Sequence, residues 1–281
     1  MATLAETVLA EDAPAKLNLA LHVRARRPDG YHELETLFAF VRDGDRLTMA
    51  RAGAPSFTVD GPFAEGLAGE GDNLVLRAVR GFAAAFGDPG PLAITLTKQL
   101  PVASGLGGGS ADAAAALRLL ARLTGIEDTA RLMAIAAELG SDVPACLLGR
   151  AALGRGRGEV LTPLNGLPPL PVLLVNPGVA VPTGPVFASW DGTDRGSLAD
   201  GTPIESALAG RNDLEPPALR LAPVIGDVLA LLRTGAPVLA RMSGSGATCF
   251  ALYASAEARA ATAQAIRSAQ PGWWCFETAL A

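Results

Sequence analysis

A glycine-rich stretch about a third of the way along the chain constrains the fold more than any other feature. Residues 101–110 read Pro-Val-Ala-Ser-Gly-Leu-Gly-Gly-Gly-Ser. Because these glycines have no Cβ, the backbone can adopt positive φ angles and approach a ligand closely. The preceding segment, 92–98, alternates Leu92, Ile94 and Leu96 with smaller or polar residues, which predicts a strand with one buried face.

The segment that follows the glycines predicts a helix. Residues 111–124 consist almost entirely of Ala, Leu and Arg, which favour helix. Ser110 is the expected N-cap and Gly125 the expected stop. The order is therefore strand, glycine loop and helix, in which the N–H groups and dipole of the helix start attract phosphate oxygens. A tight structural turn is the alternative, and the flanking strand and helix favour the phosphate interpretation.

The spacing of the loop excludes two common phosphate-binding motifs. No Lys-Ser or Lys-Thr pair follows the last glycine, so the loop is not a Walker A motif. Ser110 occupies the place of the third glycine in a dinucleotide fingerprint, and no acidic residue follows at the expected distance. A loop that holds a nucleoside triphosphate is the class that remains.

Composition narrows the range of partners. The chain has 281 residues, a formal net charge of -5 and no basic run, which argues against nucleic acid or an anionic membrane as the main partner. Cys146, Cys249 and Cys275 are too scattered for a disulfide framework, so we expect reduced thiols and a cytoplasmic protein. The N-terminus has no basic region of the kind that opens a signal peptide, and Gly and Pro interrupt the apolar runs.

Several polar residues allow two interpretations from the sequence alone. Lys16 and Asn18 share one face of a strand predicted within 8–23, where they line either a solvated edge or a cleft. Tyr31 and His32 follow the turn Pro-Asp-Gly at 28–30, where they serve either packing or ligand recognition.

Three further polar residues are ambiguous in the same way. Asp142 either caps the turn that follows it or serves the chemistry of a site. Lys98 lies at the end of a strand, where it is either solvated or within reach of a nucleotide. Asn73 is interpreted as a helix cap first and a nucleotide contact second.

The loop and five other segments together resemble a known enzyme family. Residues 101–111 resemble the signature of the GHMP kinases, named for galactokinase, homoserine kinase, mevalonate kinase and phosphomevalonate kinase. Within that family, other segments resemble the diphosphocytidyl-methylerythritol kinases. These segments are Pro-Ala-Lys-Leu-Asn-Leu at 14–19, Gly-Tyr-His at 30–32, Gly-x-Asp-Val-Pro at 140–144 and Asn-Asp-Leu-Glu-Pro at 212–216, the last with either a structural role or a contact near the substrate. The second glycine turn, at 242–250, resembles the third GHMP motif, which implies that it packs against the phosphate loop and helps to form the cleft. Departures are Ser104 and Ala111 in the loop and Gly184 beyond it.

The resemblance implies a role for each matching residue. Lys16 and Asp142 correspond to the catalytic pair, with Asp142 as base and Lys16 as charge stabiliser. ATP and Mg²⁺ are the implied cofactors, with Ser110 as a candidate metal contact. The implied ATP-binding residues are Asn73, Lys98, Pro101, Val102, Ala103, Ser104, Gly105, Leu106, Gly107, Gly108, Gly109, Ser110 and Ala111. The implied substrate-binding residues are Asn18, Tyr31, His32, Thr183 and Phe187.

The same resemblance implies the architecture and the activity. We expect an α+β, two-domain GHMP kinase fold, with a ribosomal-protein-S5-domain-2-like ATP-binding domain at 1–162 and a ferredoxin-like domain at 163–281, separated by the active-site cleft. The implied reaction is ATP-dependent phosphorylation of the 2-hydroxyl of 4-diphosphocytidyl-2-C-methyl-D-erythritol in the non-mevalonate isoprenoid pathway. The implied enzyme is cytoplasmic, a monomer or weak homodimer, and binds neither nucleic acid nor membrane.

Three alternative functions are less consistent with the sequence. A dinucleotide-dependent oxidoreductase needs a second nucleotide-binding half and a ribose-binding acid, and neither is found. A non-catalytic relative would not need both Lys16 and Asp142. Mevalonate kinase is the nearest competitor, and the Gly-Tyr-His segment at 30–32 argues against it because mevalonate has no base to stack.

The remaining elements follow from periodicity and turn residues. We expect two strands, 35–41 and 46–51, joined by a turn at Asp43-Gly44. Further expected strands are 57–59, 172–175, 249–253 and 273–279. The expected helices are 74–86, which is capped at Asp72-Asn73, 128–139, 219–232 and 256–269.

Overall fold

The computed structural model describes residues 7–67 and 73–281, and the chain forms two compact units. The first unit comprises the described parts of Met1–Ala15, Asp43–Val102 and Gly108–Leu148. The second comprises Lys16–Arg42, Ala103–Gly107 and Gly149–Ala281. The first two strands each contribute residues to both units.

Helices and strands both occur along the whole of the described chain. The strands are β1 (Leu9–Arg26), β2 (His32–Arg51), β3 (Ser56–Asp60), β4 (Leu92–Thr97), β5 (Ala152–Gly156), β6 (Val160–Pro163), β7 (Pro171–Asn176), β8 (Leu239–Met242), β9 (Cys249–Leu252) and β10 (Trp274–Ala279). The helices are α1 (Leu74–Phe86), α2 (Gly108–Thr124), α3 (Thr129–Leu139), α4 (Val143–Leu148), α5 (Thr183–Ala188), α6 (Pro203–Ala209), α7 (Glu215–Leu221), α8 (Val224–Arg233) and α9 (Ala256–Ala269).

The first unit packs helices against a small sheet. In it, β4 pairs parallel with β3 and antiparallel with the end of β2, from Arg46 to Arg51. Helix α2 contacts α1, α3 and α4. Its alanines at 113–116 are completely buried, which lets neighbouring elements approach its backbone closely. This close packing fixes the position of the α2 N-terminus within the unit.

The second unit contains an antiparallel sheet of strand order β10-β7-β9-β8. Its hydrophobic core joins strand residues such as Leu173 and Val175 to Ile225 and Val228 of α8 and Ile266 of α9. The beginning of β2 pairs with β5, which in turn pairs with β6. The α+β class expected from the sequence is confirmed.

Local capping signals predicted the starts of α1 and α3 correctly. The side chain of Asn73 caps α1 by accepting a hydrogen bond from the N–H of Leu76 at 3.0 Å. Asp128 caps α3 in the same way, and Gly140 follows its last residue. Asp72, the other predicted cap, lies outside the described residues.

The predicted turn at Asp43-Gly44 is wrong, because β2 continues through it as one strand. Gly44 has a different purpose. A Cβ at this position would lie 2.1 Å from the carbonyl oxygen of Ala13 and 2.7 Å from Cα of Pro14. Glycine is required here because the backbone of Ala13 and Pro14 lies directly against β2, and a side chain would not fit between the two backbones.

Two helix predictions were also wrong in their bounds. The predicted helix 219–232 is two helices, α7 and α8, because Pro223 lacks an N–H group and interrupts the hydrogen-bond ladder. Helix α2 begins at Gly108, so Ser110 lies within the helix and does not cap it. The sequence prediction also missed α6, which starts with a capping box between Thr202 and Glu205.

Substitution of Gly44 tests the close approach of the two backbones. We expect Gly44→Ala to destabilise the protein by about 3 kcal/mol, since the new methyl group displaces buried backbone. The matched control is Gly53→Ala, where no heavy atom lies within 4 Å of the added Cβ. Urea unfolding of both variants measures the difference, and equal stability of the two would contradict the account.

Candidate active site

The glycine loop leads directly into the N-terminus of α2. Gly105 and Gly107 adopt φ angles of 81° and 67°, which only glycine adopts without strain. Helix α2 starts at the next residue, Gly108. The first N–H groups of a helix have no partner within the helix, so they are available to an anion. The predicted strand, loop and helix order is confirmed.

In the second unit, the loop is held by the second glycine turn. The hydroxyl of Ser243 donates to the carbonyl of Gly105 at 3.0 Å and accepts from the N–H of Asn18 at 3.3 Å. The N–H of Thr248 donates to the carbonyl of Ser104 at 3.1 Å. A Cβ on Gly105 would lie 2.4 Å from the Ser243 carbonyl oxygen, so this contact requires glycine. The second glycine turn therefore packs against the loop, as predicted.

The segment 212–216 in turn holds the second glycine turn. The amide of Asn212 donates to the carbonyls of Met242 and Gly244, both at 2.8 Å. Its side-chain oxygen accepts from the N–H of Leu214 at 2.9 Å. Of the two roles open for this segment, the structure shows the structural one: a buried amide that fixes the turn against the loop.

Lys16 and Asn18 are buried, with exposed fractions of 2% and 3%, so the solvated-edge interpretation is wrong. The ammonium of Lys16 donates to Oδ1 of Asn18 at 2.8 Å, and the amide of Asn18 donates to Oγ1 of Thr36 at 2.8 Å. The backbone N–H of Lys16 donates to the carbonyl of Leu106 at 2.9 Å. The strand that carries Lys16 is therefore attached to the loop.

Asp142 belongs to the first unit and directly precedes α4. Its backbone carbonyl accepts a hydrogen bond from the N–H of Cys146 at 3.0 Å, which places it at the start of that helix. Its side chain is half-buried. The catalytic role of Asp142 stays a prediction.

An aromatic cluster surrounds His32 in the second unit. The His32 ring lies 5.0 Å from the ring of Phe187 and 5.8 Å from that of Trp190, between ring centroids. Burial, with a smaller contribution from the Arg26 charge, lowers the pKa of His32 below its usual 6.5. A neutral imidazole among aromatic rings can both donate to and accept from a polar heterocycle.

The neighbours of this cluster are more open. Tyr31 is 50% exposed, and the guanidinium carbon of Arg157 lies 4.8 Å from its ring centroid. The hydroxyl of Thr183 lies 3.0 Å from that of Ser245, which connects α5 to the second glycine turn. An exposed ring beside a half-buried imidazole is suited to stacking a flat base.

Lys98 is buried in the first unit between two carboxylates, and the solvated alternative is wrong. Its ammonium donates to Oδ2 of Asp45 and, at 2.9 Å, to Oδ2 of Asp112. Burial alone would lower its pKa, but the fields of Asp112 and Asp45 outweigh that effect and raise it. Lys98 is therefore a buried cation next to the start of the glycine loop.

The described residues contain no group of three or more His, Cys, Asp or Glu side chains that could hold a metal ion. Ser110 lies in the first turn of α2. Within the same part of the chain, no helix is long and apolar enough to cross a membrane.

Comparison with known proteins places these features in a family. The model of the GHMP kinases N terminal domain matches residues 73–150, and that of the GHMP kinases C terminal domain matches 199–272. A crystal structure of 4-(cytidine 5'-diphospho)-2C-methyl-D-erythritol kinase superposes with a TM-score of 0.82 at 39% identity, covering 97% of this chain and 99% of the other. A homoserine kinase from Cytophaga hutchinsonii shares the fold, with a TM-score of 0.74 at 19% identity over 99% of this chain and 96% of its own.

Two relatives found by sequence comparison have higher sequence identity to this chain. A 4-diphosphocytidyl-2-C-methyl-D-erythritol kinase of Rhizorhabdus wittichii is 56% identical over 94% of this chain and 92% of its own length. Another, from Sphingopyxis alaskensis, is 52% identical over 95% of this chain and 96% of its own length. The chain therefore belongs to the GHMP kinases and, among them, to the 4-diphosphocytidyl-2-C-methyl-D-erythritol kinase family.

Some residues of the site were not predicted from the sequence. Trp190 and Arg157 contact the Tyr31-His32 segment from positions far along the chain, and no local pattern marks them. Asp45 lies on a strand with several other charged residues, so no local pattern marks it. Asp112 is the one carboxylate in the alanine-rich sequence of α2, and this was the available signal.

The Ser243 hydroxyl offers a test of how the loop is held. Ser243→Ala leaves the Gly105 carbonyl and the Asn18 N–H without this partner, so we expect a loss of about 2 kcal/mol in the free energy of unfolding. The matched control, Ser268→Ala, lies on the exposed side of α9 and should change stability by less than about 0.5 kcal/mol. Urea denaturation measures the free energy of unfolding of both variants. An unchanged value for Ser243→Ala would contradict the role of this hydroxyl in holding the loop.

Proposed function

We propose that this protein is the kinase that phosphorylates the 2-hydroxyl of 4-diphosphocytidyl-2-C-methyl-D-erythritol with ATP, in the non-mevalonate route to isoprenoids. The observation that carries the proposal is family membership at 56% identity over nearly the whole chain. The glycine loop, the buried Lys16 and the aromatic cluster at His32 are the features that this chemistry needs.

ATP is the phosphate donor, as in the GHMP kinases generally. The N–H groups of the loop and of the first turn of α2, from Gly105 to Ser110, bind its phosphates because they face an anion with positive partial charge. Asn73, which caps α1, and Lys98, which follows β4 directly, belong to the nucleotide side of the site in this proposal. These assignments rest on the chain positions that match the family signature.

Mg²⁺ neutralises charge on the transferred phosphate when it is bound with ATP. The described residues offer no cluster of carboxylates for it. Oxygens of the phosphates and water supply most of the ligands in this proposal, and the hydroxyl of Ser110 is the candidate protein contact. Mg²⁺ commonly keeps several water ligands in phosphoryl-transfer sites, which suits a chain with few carboxylates to offer.

Asp142 and Lys16 are the proposed catalytic pair. Asp142 accepts the proton from the substrate hydroxyl as general base, while the Lys16 ammonium stabilises negative charge on the transferring phosphoryl group. The burial of Lys16 supports its part, because a charge in a poorly solvated environment interacts more strongly with a reacting group. Phosphoryl transfer otherwise asks mainly for positioning.

The cytidine part of the substrate lies against Tyr31, His32, Thr183 and Phe187, with Asn18 nearby. A neutral His32 provides the donor and acceptor that a cytosine edge requires, and an aromatic face provides stacking. Gly184 leaves open space beside this segment, since nothing lies within 4 Å of an added Cβ.

The biological setting is also part of the proposal. We place the enzyme in the cytoplasm, supported by the three cysteines, which form no disulfide in the part of the chain that the structure describes. We propose a monomer or weak homodimer that binds neither nucleic acid nor membrane. The domain boundary at 162–163, with the active-site cleft between the two domains, also stays a proposal.

A substrate panel tests the activity. The purified protein is given ATP and Mg²⁺ with the cytidine-bearing methylerythritol substrate, mevalonate or homoserine in separate reactions, and ADP release is measured. We expect turnover with the cytidine-bearing substrate alone. Turnover confined to a substrate that lacks cytidine would overturn the proposal.

Asp142→Asn tests the general base. The substitution keeps the shape of the side chain but removes its proton acceptor, so we expect kcat to fall by at least about 100-fold, with ATP affinity nearly unchanged. The control is Asp227→Asn, an exposed carboxylate near the start of α8. Calorimetric titration with ATP and steady-state kinetics separate the two effects, and weak ATP binding with preserved turnover would contradict the assignment.

A further inference from the structure

Asp45 on β2 holds the segment that leads into the phosphate loop through one buried carboxylate. Its Oδ1 accepts hydrogen bonds from the backbone N–H groups of Gln99 at 2.6 Å and Leu100 at 2.9 Å. Its Oδ2 accepts from the ammonium of Lys98. Both oxygens are therefore used on the segment that leads into the glycines.

Lys98 extends this attachment to the other end of the loop. Its ammonium also donates to Asp112, the fifth residue of α2, at 2.9 Å. The side chains of all three residues are at most 3% exposed. The cluster also touches the helix start, since a Cβ on Gly108 would lie 3.3 Å from Nζ of Lys98 and 3.4 Å from Oδ2 of Asp45.

We infer that Asp45 is a positioning residue for the nucleotide: together with Lys98 and Asp112, it fixes the geometry of the loop that holds the phosphates. This inference rests on the proposed function of the loop. Neither Asp45 nor Asp112 touches the nucleotide in it. They act through the backbone between residues 98 and 112.

Asp45→Asn is the direct test, measured by ATP titration and by steady-state kinetics. Asn retains an acceptor for the two backbone N–H groups but places an amide against the Lys98 ammonium. We expect the Kd and KM for ATP to rise about tenfold or more, since a hydrogen bond to a charged group is lost, while KM for the cytidine substrate changes less than about twofold.

The matched control is Glu11→Gln. Glu11 of β1 pairs with Arg118 and Arg122 on α2 but lies away from the loop, so the variant loses a comparable attachment of the same helix. We expect it to lower the unfolding temperature without changing the KM for ATP. Equal changes in ATP affinity for both variants would assign Asp45 a merely structural role and overturn the inference.

Asp112→Asn gives an independent test that remains if Asp45→Asn does not fold. The substitution removes the charged acceptor that attaches the Lys98 ammonium to α2, so the Kd for ATP should rise about tenfold. An unchanged Kd for ATP in this variant would overturn the inference. Turnover by the natural protein decides the proposed function separately, because the Kd for ATP is measured without the second substrate.

Discussion

The contact between the glycine loop and the second glycine turn is the interaction on which the proposed phosphate site most depends. A loop with this many glycines has many conformations in the unfolded chain, and its backbone groups can serve a ligand only if something else fixes them. Ser243 and Thr248 do so by hydrogen bonds to the carbonyls of Gly105 and Ser104. With the carbonyls occupied by protein, the N–H groups of the loop are left for an anion.

This arrangement explains why residues far apart in the sequence must occur together. Asn212 holds the second turn, the second turn holds the loop, and the backbone of Lys16 is bonded to the same loop through Leu106. At the start of α2, the cluster of Lys98, Asp45 and Asp112 performs the corresponding task. Motifs that look independent in the sequence are thus parts of one supported backbone.

The sequence predicted those parts of the fold that depend on short-range physics. The caps at Asn73 and Asp128 are set by side chains that reach backbone N–H groups three residues away, and the alternation in β4 reflects one buried face. The strand, glycine loop and helix were predicted for the same reason, since their motif is contiguous.

The incorrect sequence predictions have a common cause, which is that the residues concerned make tertiary contacts. Gly44 was interpreted as a turn because glycine usually marks one, but the passing backbone at Ala13 is what requires it. Lys16, Asn18 and Lys98 were compatible with solvated positions until their partners were known. Burial of a charged side chain depends on groups that other segments supply, and a single local pattern does not reveal them.

The central claim is that backbone amides of the loop and of the α2 N-terminus bind the triphosphate. Titration of ¹⁵N-labelled protein with a non-hydrolysable ATP analogue, followed by amide NMR, tests it directly. The account predicts the largest shift changes at the amides from Gly105 to Ser110, and small ones there when the cytidine substrate is added alone. Saturation by the analogue with these amides unmoved would contradict it.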